Sequence, residues 1–189
     1  DRHTLYLTSE YSADKQILTV VENFEAQFEK QIGKDMTQEE RLGIKKLVMQ
    51  TYLRALALDK CADYGLNALK EFDNSYIREN TMYALLKTGR YTECLKLATE
   101  TESGTNPAPL YYAAAASLES GDTDTSIDYV LKLAKQVKTS EYPQKADELL
   151  HSFLALLIVD TETTEAKYSQ LNEAQIGLSL IHISEPTRH

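Results

Sequence analysis

Two stretches of this sequence share one order of residue types, and that order constrains how the surrounding chain folds. They are ALLKTGRYTECLKLA (84–98) and ASLESGDTDTSIDYV (116–130). Each is typical of a helix end, a glycine and the polar start of a second helix. The glycines, Gly89 and Gly121, are separated by 32 in the numbering. Glycine ends a helix readily because it adopts the left-handed conformation without a Cβ clash. The repetition therefore predicts successive helical hairpins.

A small residue follows each of these glycines by five positions, and an aliphatic residue comes next. The pairs are Cys94 with Leu95 and Ser126 with Ile127. A small side chain at this point lets two helices approach closely, and the branched neighbour fills the space beside it. Two weaker copies are present. In one, Gly65 and Leu66 form the small–aliphatic pair, and in the other Ala166 is the small residue. Successive small residues are then separated by 29, 32 and 40 in the numbering.

Helix-start and helix-stop signals fill most of the chain. Thr37 and Glu40 form a capping-box pattern, and DNS (73–75) predicts the cap of a later helix. Only TLYLT (4–8) has a short β-like alternation. The chain is therefore predicted to be all-α. The first predicted helix has Ser12 as its N-cap and ends at Gly33. Further helices are predicted over 38–59, 62–72, 76–88, 91–102 and 109–120, after the turn at Gly121 to 137, over 143–159, and after the turn DTET (160–163) to 176.

The segment LLKTGRYTECLKL resembles the tetratricopeptide repeat family. Its K-x-G-x-Y-x-E-small-aliphatic order matches the turn and second helix of that repeat, at Gly89, Tyr91, Glu93, Cys94 and Leu95. The resemblance implies a right-handed α-solenoid of antiparallel helical hairpins. Other helical-hairpin repeats remain an alternative.

Three segments are expected along the chain. Residues 1–36 form a truncated or capping helical segment, and residues 37–177 form the helical-repeat domain. The last segment, LSLIHISEPTRH (178–189), resembles the translation of a transposase mosaic-end adapter used in sequencing-library preparation. We therefore expect a non-native tail on a fragment of a larger protein, and a genuine C-terminal extension is the alternative.

Charge and composition narrow the classes of partner. The formal net charge is −9, which repels phosphate backbones, so we expect no direct contact with nucleic acid. No apolar run approaches the length of a membrane span, so none is expected. The two cysteines, Cys61 and Cys94, are interpreted as buried small side chains rather than a disulfide. A soluble protein is expected, with the cytoplasm favoured as its compartment.

No arrangement of residues predicts a reaction. His151 lies four residues after Asp147 on one predicted helical face, but no third ligand follows at a recognisable spacing. A packed or hydrogen-bonded histidine is therefore the preferred interpretation. Neither an enzyme nor a cofactor nor a metal site is expected.

The resemblance also implies a role and a binding face. In the family, the first helix of each pair lines a concave groove that takes peptides or partner helices. A protein or peptide interaction scaffold is therefore expected, and the oligomeric state is left open. The alternatives are a sensor domain of a signalling or transcription regulator, and the helical part of a surface glycan-binding lipoprotein. By position, the groove would include Asn80, Tyr83 and Lys87 from one copy and Tyr111, Tyr112 and Ala115 from the next.

Overall fold

A computed structural model describes residues 16–28, 30, 35–101, 105–139 and 141–159, and within them it is helical with no strand. The all-α prediction is therefore confirmed for the described part of the chain. The helices, in chain order, are α1 (16–27), α2 (Gln38–Arg54), α3 (Leu58–Ala68), α4 (Ser75–Lys87), α5 (Tyr91–Thr101), α6 (Ala108–Glu119), α7 (Thr123–Thr139) and α8 (Pro143–Val159).

The helices group into two compact units, which divide between Thr88 and Gly89. In the N-terminal unit, α3 packs against both α2 and α4, and α2 also contacts α4. In the C-terminal unit, α6 packs against α5, α7 and α8, and α7 contacts α8. Within each unit, the helices from α2 to α8 pack against their neighbours in sequence, and one pair of helices two apart in the chain is also in contact, α2 with α4 and α6 with α8. Such a pattern is typical of layered helical hairpins.

The corner between α6 and α7 is a Schellman motif. Gly121 has a φ of +86°, and its N–H donates to the carbonyl of Leu118, while the N–H of Asp122 donates to the carbonyl of Ser117. Gly89 also has a positive φ, of +75°. Both glycines therefore end helices, as the sequence predicts.

The corner between α2 and α3 has the same hydrogen bonds without a glycine. Leu56 has a φ of +54°, and its N–H donates to the carbonyl of Leu53, while the N–H of Ala57 donates to the carbonyl of Tyr52. The interval from Leu56 to Gly89 is 33 in the numbering, and that from Gly89 to Gly121 is 32. The structure thus adds a corner that the sequence analysis missed, because leucine is rare in this conformation.

Two small residues contact a backbone carbonyl of the preceding helix at the same separation in sequence. The Ser126 hydroxyl donates to the carbonyl of Ala114, 12 residues earlier, at 2.8 Å. The Cys61 sulfur lies 4.0 Å from the carbonyl oxygen of Met49, also 12 residues earlier. Cys61 follows its corner by five residues, as Cys94 and Ser126 follow theirs. Counted from its corner, Cys61 therefore occupies the position of Cys94 and Ser126, and with Cys61 the first interval in the numbering is 33.

Gly65 has a different role, because it lies where three helices meet. A Cβ at Gly65 in α3 would lie 2.0 Å from Oγ1 of Thr81 in α4 and 2.6 Å from Cε of Met49 in α2. Only a residue without a side chain fits between these neighbours. Gly65 therefore lets α3 pack closely against α2 and α4.

The helix ends agree with the sequence in most places and differ at α2 and α3. The capping box at Thr37 and Glu40 forms, and the side chain of Asn74 caps α4 by accepting hydrogen bonds from the N–H groups of Tyr76 and Ile77. The second helix was predicted to continue to Asp59, but it ends at Arg54 because Leu56 turns the chain. The third helix consequently begins at Leu58, four residues before its predicted start at Ala62.

Some predictions fall outside the described residues. These are the Ser12 cap, Gly33 as the end of the first helix, the TLYLT segment, Ala166 as a small residue, the helix predicted after residues 160–163, and the tail at 178–189.

Polar contacts connect α1 to the rest of the N-terminal unit. The hydroxyl of Tyr52 in α2 donates to a carboxylate oxygen of Glu25 at 2.8 Å, and Glu22 forms an ion pair with Lys60 in α3. Burial, aided by the bond to Glu25, raises the pKa of Tyr52 far above its ordinary value. Tyr52 therefore stays protonated and keeps donating this bond. Residues 16–27 belong to the same compact unit as α2, α3 and α4.

Candidate functional site

The three predicted binding residues of α4 have different exposures. Asn80 and Tyr83 are half-buried, whereas Lys87 is exposed. The side-chain amide of Asn80 donates to the carbonyl of Tyr76 at 2.8 Å, so one of its N–H groups is engaged by its own helix. The ammonium of Lys87 lies 5.9 Å from the centre of the Tyr83 ring, a distance typical of a cation–π contact. Tyr83 and Lys87, one helical turn apart, therefore form one amphipathic patch on the N-terminal unit.

The three predicted binding residues of α6 are mostly buried. Ala115 is 0% exposed and Tyr112 is 7% exposed, and only Tyr111 is half-buried. The rings of Tyr111 and Tyr112 meet edge to face, with centroids 5.0 Å apart. Since α6 packs against three other helices, most of its circumference belongs to the core of the C-terminal unit. Of the three side chains, Tyr111 thus offers the most accessible surface to a ligand.

An exposed stripe on α2 forms a second candidate surface. It consists of Gly43, Leu47, Gln50 and Arg54, which recur at intervals of four, three and four residues and are all exposed. Leu47 is 57% exposed, and Leu56, in the turn just after the stripe, is 77% exposed. We call these five residues the α2 stripe. The opposite face of α2 is buried through Lys45, Val48, Met49 and Tyr52.

The charges on α2 are segregated along the helix. Both acidic residues, Glu39 and Glu40, lie in the first turn, and Glu40 is hydrogen-bonded to Thr37. Every charged residue from position 41 to 54 is basic, in a chain whose net charge is −9. Of these basic residues, Arg54 belongs to the α2 stripe and Lys46 is next to Leu47 in the sequence. The C-terminal part of this surface is therefore apolar and cationic.

The two cysteines are free and fully buried thiols, one in each unit. Burial raises the pKa of Cys61 to about 11 and that of Cys94 to about 12. Because the thiolate is the reactive form, neither cysteine has the environment of a nucleophile. The interpretation of both as buried small side chains is therefore confirmed.

His151 and Asp147 lie together on the exposed face of α8. The Nδ1 atom of His151 lies 3.5 Å from a carboxylate oxygen of Asp147 and 2.9 Å from its backbone carbonyl oxygen. The histidine is hydrogen-bonded within its own helix, as expected. Within the described ranges, no group of three or more His, Cys, Asp or Glu residues is arranged to hold a metal ion. None of the helices described is both long and apolar enough to cross a membrane.

The described residues define a class of protein: an all-α chain in which helix corners recur at Leu56, Gly89 and Gly121 and some apolar side chains are exposed. Searches of protein-family models, curated proteins and solved structures find no match to this chain.

The sequence analysis missed the α2 stripe, although part of its signal is visible in the sequence. Leu56 lies five residues before Cys61, the spacing that connects Gly89 to Cys94. Because Gly65 was predicted to be the small residue of this copy, the spacing from Leu56 to Cys61 was not used. The exposure of Leu47 could not be found from periodicity, because leucine in an amphipathic helix is usually assigned to the core.

Proposed function

We propose that this chain is a non-enzymatic interaction module of tetratricopeptide-like helical hairpins that binds protein or peptide segments. One observation carries the proposal: the three corners at Leu56, Gly89 and Gly121 recur at nearly equal intervals, 33 and then 32 in the numbering. A repeat of about this length builds arrays in which each hairpin buries its apolar face against a neighbour and leaves an extended surface for partners.

The accessible tyrosines of the first helices support a binding role. Tyr83 on α4 and Tyr111 on α6 are both half-buried, so each ring is held in place while part of it remains accessible. Tyrosine gives a rigid, amphipathic contact surface with little loss of conformational entropy on binding. In this proposal, Lys87 and Asn80 contribute polar contacts beside Tyr83.

A peptide selection tests the proposal. Peptides selected from a random display library on the purified chain are expected to bind with dissociation constants of about 1–100 µM, as for small peptide interfaces. Tyr83→Ala or Tyr111→Ala is expected to weaken the selected peptides by about tenfold, since truncation of an aromatic contact residue commonly costs this much.

Tyr142→Ala is the matched control. Tyr142 is 53% exposed and lies between α7 and α8, outside the predicted binding helices. Circular dichroism would establish that each variant folds. The proposal is refuted if the library yields no binding peptide, or if Tyr142→Ala weakens binding while the other two variants do not.

A further inference from the structure

We infer that the α2 stripe, formed by Gly43, Leu47, Gln50, Arg54 and Leu56, docks an acidic segment of a partner protein that carries aliphatic side chains. The inference rests on the proposed binding function and names the chemistry of a partner. The stripe lies within the N-terminal unit. Its members Leu47, Gln50 and Arg54 each precede a predicted binding residue of α4 by 33 in the numbering, which is the interval between the corners at Leu56 and Gly89.

Three features of the stripe disfavour the isolated fold. Gly43 lies within α2, where glycine lowers helix stability, and a Cβ at this position would meet no atom within 4 Å. Leu56 adopts a left-handed conformation that disfavours residues with a Cβ, at a corner equivalent to those formed by Gly89 and Gly121. Leu47 exposes more than half of its surface to solvent. A glycine inside a helix, a leucine in the left-handed region and an exposed leucine thus lie on one surface, and departures from local preference of this kind are typical of functional sites.

Each feature becomes favourable once a partner covers the stripe. A glycine on an exposed helix face lets a second backbone approach closely. Leu47 and Leu56, 57% and 77% exposed, supply apolar area that a partner would bury. The stripe therefore has a residue without a side chain, Gly43, at one end and an exposed apolar residue, Leu56, at the other.

Charge identifies the chemistry of the partner. Lys46 and Arg54 lie beside or on the stripe, and all acidic residues of α2 are confined to its first turn. Because the whole chain carries a net charge of −9, this basic surface contrasts with the average of the molecule. The net charge of the chain disfavours an acidic segment on average, whereas Lys46 and Arg54 attract it to the C-terminal part of the stripe, which favours docking there.

The first arm of the test measures stability. Leu56→Gly removes the left-handed strain and is expected to raise the melting temperature by about 3 °C. A leucine kept for stability would lower the melting temperature when it is replaced. A lower melting temperature for Leu56→Gly would therefore overturn the inference.

The second arm measures binding to a defined probe. The probe is a fluorescein-labelled helical peptide of Glu, Ala and Leu, with its leucines on one face, and its control has Gln at every Glu position. We expect the acidic peptide to bind at about 100 µM or tighter and the control to bind at least about tenfold more weakly. Affinity should fall with added salt, since exposed charges are screened.

Variants then locate the peptide on the stripe. Leu56→Gly, Leu47→Gln and Arg54→Glu are each expected to weaken the acidic peptide by about tenfold. The matched controls are Leu131→Gln and Lys138→Glu, exposed residues of α7, which are expected to change affinity by less than about twofold. Leu56→Gly would thus be more stable and bind less well, a combination that a purely structural leucine does not produce.

Three results overturn the inference. The acidic and Gln peptides bind equally, neither binds at about 1 mM, or the α7 variants weaken binding as much as the stripe variants do. If the library-selected peptides still depend on Tyr83 or Tyr111 in any of these cases, the proposed function stands and only the docking of an acidic segment on the α2 stripe fails.

Discussion

Two helical glycines of this chain are expected to respond to alanine in opposite ways. Gly65→Ala places a Cβ 2.0 Å from Oγ1 of Thr81, and Thr81 is itself fully buried. Gly43→Ala places a Cβ in open space. We expect Gly65→Ala to lower the free energy of unfolding by about 1–3 kcal/mol through overpacking. Gly43→Ala should raise it by up to about 1 kcal/mol through helix propensity. Urea unfolding of the two variants measures both effects.

A double substitution isolates the clash at Gly65. Thr81→Ala removes Oγ1, which is the closest atom to the added Cβ. The combined variant Gly65→Ala/Thr81→Ala should therefore lose less stability than the sum of the two single variants. Additive losses would show that the steric account of Gly65 is wrong.

At the scale of the helix, the N-terminus of α2 depends on a reciprocal cap. The backbone N–H of Glu40 donates to the Thr37 hydroxyl at 3.2 Å, and the Thr37 N–H donates to the Glu40 carboxylate at 2.8 Å. Thr37→Ala is expected to lower the free energy of unfolding by about 1 kcal/mol. These hydrogen bonds from Thr37 also hold the pKa of Glu40 below its ordinary value.

The lowered pKa gives the cap a pH dependence of known sign. A carboxylate with a depressed folded-state pKa adds stability above its unfolded pKa, and this stability is lost as the pH falls through the lower folded value. The difference in stability between the native chain and Glu40→Gln should therefore shrink at acidic pH. Glu39→Gln is the control, because it removes a first-turn charge without breaking the cap. Equal pH profiles for the two variants would contradict the capping account.

Most helix boundaries could be predicted from the sequence because their signals are local. The cap at Thr37, the cap at Asn74 and the stops at Gly89 and Gly121 each depend on one side chain and the backbone within four residues. The corner at Leu56 could not be predicted this way, since leucine has no preference for a positive φ. Packing between α2 and α3, and not local propensity, holds the chain in that turn.

At the scale of the whole molecule, the exposure of side chains was harder to predict than the fold class. The all-α class follows from many independent local signals, so one error does not change it. Exposure depends on what packs around a helix, and the three neighbours of α6 bury Tyr112 and Ala115, which the family resemblance had placed on the binding face. The contact between Cys61 and the carbonyl of Met49, 12 residues earlier, likewise depends on packing between helices and not on local signals.

The distribution of the two thiols allows the opening of each unit to be measured in the native chain. Cys61 reports on the N-terminal unit and Cys94 on the C-terminal unit, and both are 0% exposed. Their raised pKa values, about 11 and about 12, leave almost no thiolate in the folded state at neutral pH. Reaction with a disulfide reagent therefore requires the surrounding helices to open.

We expect each thiol of the folded chain to react at least about 100-fold more slowly than in urea, as located by mass spectrometry of the labelled peptides. Substitutions that loosen the packing beside a thiol should speed its own labelling. Gly65→Ala disturbs α3 next to Cys61, and Ser126→Ala removes the hydrogen bond from α7 to the carbonyl of Ala114 in α6, the helix that Cys94 contacts. A thiol that reacts in the folded chain as fast as in urea would show that its unit lacks the closed core described above, because a buried sulfur with a raised pKa has no other route to the reagent.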